Sequence, residues 1–304
     1  MKAGTLLATL AAGCVLAGYA TAGQDRVVRD DLGNFFRLSV SPPERIVSLA
    51  PNITEILFAL GLGDRVVGVT RFCDFPEAAL GLRKVGGLVD PNIEIIHSLE
   101  PDLVIAFRGN PLRVLARLRE LHLPVFILDS AKDIGSLFPF IEKIGLITGA
   151  DEAAAALNRS LRTRLGSVER NLEGVRARPR VFVILYGQGL WTCGAESYLD
   201  NLLVKAGAVN VAARVPKKWF LYSRERLVRD DPDSIVVLAR SEGDFVRAKR
   251  LILEESSYKD IAAVKAGRIF RLEENAASRF GPRLVGVLEA LARFLHPEQF
   301  GEDR

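Results

Sequence analysis

The chain has 304 residues, 49% hydrophobic and 26% charged, which suits one large domain or two ordinary ones and excludes general disorder. Lys plus Arg number 41 against 37 Asp plus Glu, a formal net charge of +4, and the basic residues are interspersed with acidic ones, so no nucleic-acid partner is expected. Three Cys and three His, none at ligand spacing, exclude a metal cluster of the zinc type, and a single uncharged stretch of membrane length excludes a polytopic membrane protein.

That stretch runs over 5–22, behind Lys2, and closes on Ala20-Thr21-Ala22, the small-x-small form of a signal peptidase site. Residues 1–22 therefore read as a signal peptide, and the body of the protein as periplasmic. Ala11-Ala12-Gly13-Cys14 offers a competing reading, lipid anchoring at Cys14, and an uncleaved anchor is a third. All three place the body outside the cytoplasm.

The next apolar runs alternate. A strand is predicted over 45–49, then a break at Pro51-Asn52, then a helix over 54–60 stopped by Gly61. Strands follow over 65–69, 102–107 and 125–128, with helices over 92–99 and 112–121. Strands alternating with helices imply a parallel sheet covered on both faces, an α/β class. A strandless helical stretch comes next, 134–148 and then 151–177. Leu157, Leu161, Leu165, Val168 and Leu172 share one side of its second part, which would span roughly 40 Å. After Pro179 the alternation restarts: strand 180–186, Gly-rich loop 187–194, helix 196–206, helix from 225 to 229, strand 234–239, helix 245–254, strand 268–272 and helix 282–295. The expected organisation is an N-terminal lobe over 44–133, a connecting helical segment over 134–178 and a C-terminal lobe over 179–300.

The restart is a repeat in detail. Glu94 precedes Pro101-Asp102 and the strand Leu103-Val104-Ile105; Glu225 precedes Pro232-Asp233 and Ser234-Ile235-Val236 at the same spacing. Two similar lobes on one helix leave a cleft between them, and ligands of open α/β sheets bind beyond the carboxyl ends of strands.

Nothing in the chain supports catalysis there. It has no phosphate loop, no complete dinucleotide fingerprint and no nucleophile elbow, and His97, His122 and His296 fall on helical or helix-end segments. No catalytic residue and no resident cofactor is expected. An extracytoplasmic enzyme or an importer-free ligand sensor stand as the readings from other classes. The loops expected at the cleft carry aromatics and Arg instead: Phe72 and Phe75, Arg108, Tyr186, Trp191, Trp219 and Arg279. Such loops suit a large, flat, partly polar ligand, although each ring could equally fill the base of its own loop. Glu94 and Glu225 lie in first helical turns, where the helix dipole alone favours a carboxylate by roughly 0.3–1 kcal/mol. One acid at the same place in each lobe also matches a two-fold partner with one basic cluster per subunit. Cys73 and Cys193 fall on loops assigned to the cleft, one per lobe. A bridge would lock the cleft, so free thiols are expected there.

Several segments resemble a known family: Arg45-Ile46-Val47-Ser48-Leu49-Ala50-Pro51-Asn52-Ile53-Thr54-Glu55, Cys73-Asp74-Phe75-Pro76, Val85-Gly86-Gly87, Asn92-Ile93-Glu94, Leu99-Glu100-Pro101-Asp102 and Ser223-Arg224-Glu225. Over 44–295 the chain is similar to periplasmic binding proteins for cobalamin, haem and iron-siderophores, and most to the cobalamin-binding branch. The resemblance implies two Rossmann-like lobes joined by one long rigid α-helix, the class III arrangement, with small lobe motion. It implies a monomer that captures a corrinoid and delivers it to the two-fold membrane permease of an ABC importer, docking through Glu94 and Glu225. Leu88 stands where the cobalamin pattern can carry Trp, and Asn275 near where an acid is expected, although Arg279 fits its Arg. These departures leave room for a variant corrinoid, haem or a siderophore.

Overall fold

The computed structural model describes residues 27–129, 133–187 and 189–301; the expected signal peptide and Cys14 lie outside them. The chain opens with an antiparallel hairpin of β1 (Val27–Arg29) and β2 (Phe35–Arg37). Then come β3 (Ile46–Ser48), α1 (Pro51–Ala59), β4 (Val66–Val69), α2 (Ile93–Ser98), β5 (Leu103–Phe107), α3 (Leu112–Glu120) and β6 (Val125–Leu128). The four later strands form one parallel sheet in the order β4-β3-β5-β6. Strands β3, β5 and β6 are nearly continuous apolar runs because the sheet is covered on both faces.

Helices α4 (Leu137–Thr148) and α5 (Asp151–Asn171) follow. The chain then builds β7 (Arg180–Leu185), β8 (Trp191–Cys193), α6 (Tyr198–Lys205), β9 (Val209–Asn210), β10 (Trp219–Leu221), α7 (Arg224–Asp230) and β11 (Ser234–Ala239). It closes with α8 (Glu242–Glu254), α9 (Ala262–Lys265), β12 (Ile269–Glu273), α10 (Glu274–Ser278) and α11 (Leu284–Leu295). The second parallel sheet has the order β12-β11-β7-β9. In each sheet the first strand is central, the second pairs on one side and the third on the other, so the two sheets share one topology.

The shared topology rests on shared local chemistry. The Asp102 carboxylate accepts the backbone N–H groups of Glu44 and Arg45 at 2.7 and 2.9 Å, fixing the entry to β3. Asp233 accepts the N–H of Arg180 at 2.7 Å, at the entry to β7. Just before them, Glu100 (φ 45°) and Asp231 (φ 36°) take the left-handed turn that ends α2 and α7. Asn92 caps α2 and Ser223 caps α7 through side-chain oxygens, as their residue types favour.

Some boundaries depart from the sequence reading. Pro51 starts α1 rather than breaking the chain before it, because a proline at the first helical position lacks only an N–H that would be unpaired anyway. Helix α5 stops at Asn171, short of 177, where Gly174 (φ 77°) turns the chain; its 21 residues span about 32 Å. The segment read as a Gly-rich loop contains β8, which pairs antiparallel with β10.

Helix α5 packs against α4 on one side and α11 on the other. The largest apolar cluster runs from Ile46, Leu103 and Ile105 of the first sheet through Ile141, Ile144 and Leu161 to Val236, Leu238 and Leu288 of the second half. Two lobes that share a core and a rigid helix have little freedom to hinge. Among the described residues no helix is long and apolar enough to cross a membrane.

Candidate functional site

The carboxyl ends of the two sheets face one cleft of about 290 Å³. The first lobe lines it with Ala50 and Pro51 after β3, Phe72 after β4, Phe107 at the end of β5, and Leu88. Asn110 braces this wall by donating to the carbonyls of Leu49 and Leu88 at 3.1 and 2.9 Å. The second lobe contributes Arg240 after β11, then Glu274, Asn275, Ser278 and Arg279 around α10. Phe280 packs edge-on against Phe140 (5.8 Å) and tilted against Tyr198 (5.5 Å). Tyr198 and Phe280 also reach the lining. Burial of the Tyr198 hydroxyl pushes its pKa well above the ordinary phenol value.

A charged cluster joins the lobes beside this cleft. Glu55, on α1 and only 2% exposed, accepts 2.9 and 2.6 Å hydrogen bonds from Arg283 and a 3.2 Å bond from Arg279. Arg279 also donates to Asp74 at 2.5 Å and to the Phe72 carbonyl at 3.1 Å. Asn275 donates to the other Asp74 oxygen at 2.9 Å, and Arg283 to Glu273 at 2.9 Å. Partial burial alone would raise the Asp74 carboxyl, but its hydrogen bond to Arg279 and the nearby guanidinium charges hold it below the ordinary value. Glu55 is thus matched by the fork of the Arg283 guanidinium, the geometry that makes a buried ion pair worth having, while Asp74 divides its oxygens between Arg279 and Asn275.

Of the residues singled out in the sequence, Phe72 and Arg279 line this cleft. Phe75 lies outside the lining, its ring 4.3 Å from the Arg283 guanidinium. Arg108 lies outside the lining and pairs with Asp129 at 2.8 Å. Tyr186 lines a different cavity, of about 450 Å³, wholly within the second lobe, together with Leu190, Arg224 and Tyr258. Trp191 and Trp219 stand in the β8–β10 ribbon and also lie outside the lining; Trp219 pairs with Cys193 and packs on the main core. The sequence reading did not single out Asn52, Phe107, Tyr198, Arg240 or Glu274. Phe107 reads as a strand residue and Arg240 as one of many surface Arg, and only the topology brings them together.

Glu94 and Glu225 are exposed in the first turns of α2 and α7. Backbone hydrogen bonding at the helix start, helped by Ser223, holds the Glu225 carboxyl below its ordinary value, so it stays ionised. Cys73 and Cys193 are free and buried rather than open to the cleft. Burial pushes the Cys193 thiol up to about 12 and raises that of Cys73, so neither offers a thiolate to a ligand. Among the described residues no group of His, Cys, Asp and Glu could hold a metal ion.

Two α/β lobes of common topology, bridged by one helix and lining a cleft together, define a class III substrate-binding protein, which binds rather than transforms its ligand. Residues 46–276 match the family model described as periplasmic binding protein, and the chain belongs to that family. It is 30% identical over 319 residues to an uncharacterized ABC transporter substrate-binding lipoprotein of Bacillus subtilis, covering 99% of each chain. It is also 30% identical over 275 residues to a cobalamin-binding protein of Halobacterium salinarum, covering 89% of this chain and 74% of that one. Its fold is similar to a periplasmic haem-binding protein of Roseiflexus, with a TM-score of 0.76, 26% identity, and 84% and 99% of the two chains covered.

Proposed function

We propose that the protein captures a corrinoid in the cleft between its lobes, outside the cytoplasm, and delivers it to the membrane permease of an ABC importer. The observation that carries this reading is the composition of the cleft: aromatic rings from both lobes (Phe72, Phe107, Tyr198 and Phe280) meet charged and polar groups gathered on the second lobe, as a ring with an apolar face and a polar fringe requires. The 30% identity to a cobalamin-binding protein supports the ligand class, and the likeness to an ABC transporter lipoprotein supports the destination. A cavity of about 290 Å³ is below the roughly 300–1,000 Å³ of sites that enclose drug-sized ligands, so a macrocycle enters edge-first and stays partly outside the cleft.

Haem is the second reading, favoured by the haem-binding structural relative. A corrinoid brings its own axial ligands, whereas haem iron needs one from the protein. Tyr198 is the lining residue of a suitable type, and its raised pKa opposes the phenolate that would ligate. Glu94 and Glu225 would dock the loaded protein on basic groups of the two permease subunits. Incubation with cobalamin, haem or a ferric siderophore, followed by desalting and an absorbance spectrum, tests the cargo. Corrin absorbance retained at one ligand per chain is expected. Retention of haem alone would replace the ligand and keep the transport role.

A further inference from the structure

The Arg residues around the cleft differ in which of their nitrogens are occupied. Arg71 pairs with Asp90 and Arg108 with Asp129, each through a terminal amino group. Arg279 is 11% exposed, and both of its terminal groups are held, by Glu55, Asp74 and the Phe72 carbonyl. Arg240 is built otherwise. It stands one residue beyond β11, lines the cleft and keeps 70% of its side chain exposed. Its one side-chain hydrogen bond among the described residues runs from Nε to Glu274 Oε1, at 3.1 Å. Glu274, 15% exposed on the first turn of α10, therefore grips the guanidinium from the side and leaves both terminal amino groups without an acceptor among the described residues.

A guanidinium anchored through Nε with its outer N–H groups free is ready for an oxyanion. Among the described residues the rest of the lining offers no competing cation: Arg279 is spent on holding the lobes together, and Asn275 on Asp74. We infer that Arg240 is the specificity-determining contact of the cleft, reading an anionic oxygen group at the fringe of the ligand, with Glu274 as its positioning residue. The inference rests on the cleft being the cargo site. The shared chemistry is an oxyanion on a macrocycle, which a corrinoid carries as the phosphodiester of its nucleotide loop and haem carries as propionates.

The test compares wild type, Arg240→Gln and Glu274→Gln for affinity towards cobalamin and towards cobinamide, which lacks the nucleotide loop and its phosphodiester. Arg240→Gln should weaken cobalamin roughly tenfold to hundredfold and leave cobinamide within about twofold, with an unchanged melting curve. Glu274→Gln should weaken cobalamin by less, and Arg240→Lys should restore part of the loss because charge returns without the fork. Equal effects on the two corrinoids, or none, would overturn the inference while leaving the corrinoid reading in place. If only haem is retained, the corrinoid reading fails and the same variant is judged on haem against its dimethyl ester. If none of these binds, a titration with inorganic phosphate followed on the Arg240 side-chain NMR signal decides: a saturable shift supports the contact, and a flat titration overturns it.

Discussion

The two lobes are alike in construction and unlike in what they show the cleft. Each has a four-stranded parallel sheet with its first strand in the centre, a capped helix carrying an exposed Glu, and an Asp that fixes the entry to that first strand. Yet the first lobe presents Pro51, Asn52, Phe72, Leu88 and Phe107, none of them charged, whereas the second adds Arg240, Glu274 and Arg279 to its own Tyr198 and Phe280. Topology decides where loops meet, since both sets stand beyond strand carboxyl ends. The residues at those ends decide what each lobe contributes. Both lobes supply apolar surface for burial, which gives binding its magnitude. The second also supplies the charged groups, which give it orientation and hold the lobes in register.

The sharpest way to break that comparison is at Glu55, the more buried of the two first-lobe carboxylates, Glu55 and Asp74, that meet second-lobe guanidinium groups. Glu55→Ala leaves Arg279 only Asp74 and Arg283 only Glu273 as carboxylate partners and should cost about 3 kcal/mol in urea unfolding. The exposed pair of Arg164 with Glu289, bidentate at 2.9 and 2.6 Å, should cost less than about 1 kcal/mol when Glu289→Ala removes it. Equal losses would mean that the shared apolar core alone joins the lobes.

The likeness of the lobes is tested by the paired strand entries. Asp102 accepts two backbone N–H groups and Asp233 one, so Asp102→Ala should cost about 2 kcal/mol and Asp233→Ala about 1 kcal/mol in the same assay. A reversed order would show that the equivalence is one of sequence and not of energetics. At the lobe tips, charge reversal of Glu94 and Glu225 together should lower uptake in permease-containing vesicles roughly tenfold or more with ligand affinity unchanged. A loss of affinity would place these carboxylates in binding instead of docking.

A smaller effect concerns pH. Pairing with Arg279 sets the Asp74 pKa lower in the folded than in the unfolded state. Its contribution is therefore complete above the ordinary Asp value, about 3.9, and disappears as pH falls through the lowered folded value. Asp74→Asn should flatten the stability profile over that acidic window and leave its shape above about pH 5 unaltered. A wild-type profile that Asp74→Asn leaves unchanged would take Asp74 out of the inter-lobe cluster.

How much of this was legible in the sequence follows from what each feature depends on. Strands 125–128 and 234–239 carry their own signal, an apolar run with clear stops, and the structure places them at those residues. The repeat was legible because Pro101-Asp102 and Pro232-Asp233 serve the same local purpose twice. The β8–β10 ribbon was not, since two three-residue strands gain their identity only from pairing with each other. Arg240 carried no signal of its own; its amino groups, without an acceptor among the described residues, have meaning only beside Glu274, which lies beyond α8, α9 and β12 in the chain.

The most direct measurement of the central claim is amide hydrogen exchange with and without cobalamin. If the ligand is held between the lobes, protection should rise together around Ala50–Asn52, Phe72, Leu88 and Phe107 in one lobe and around Arg240 and Glu274–Phe280 in the other. Protection confined to the second lobe, around Tyr186, Leu190, Arg224 and Tyr258, would place the ligand in the single-lobe cavity and contradict the two-lobe account.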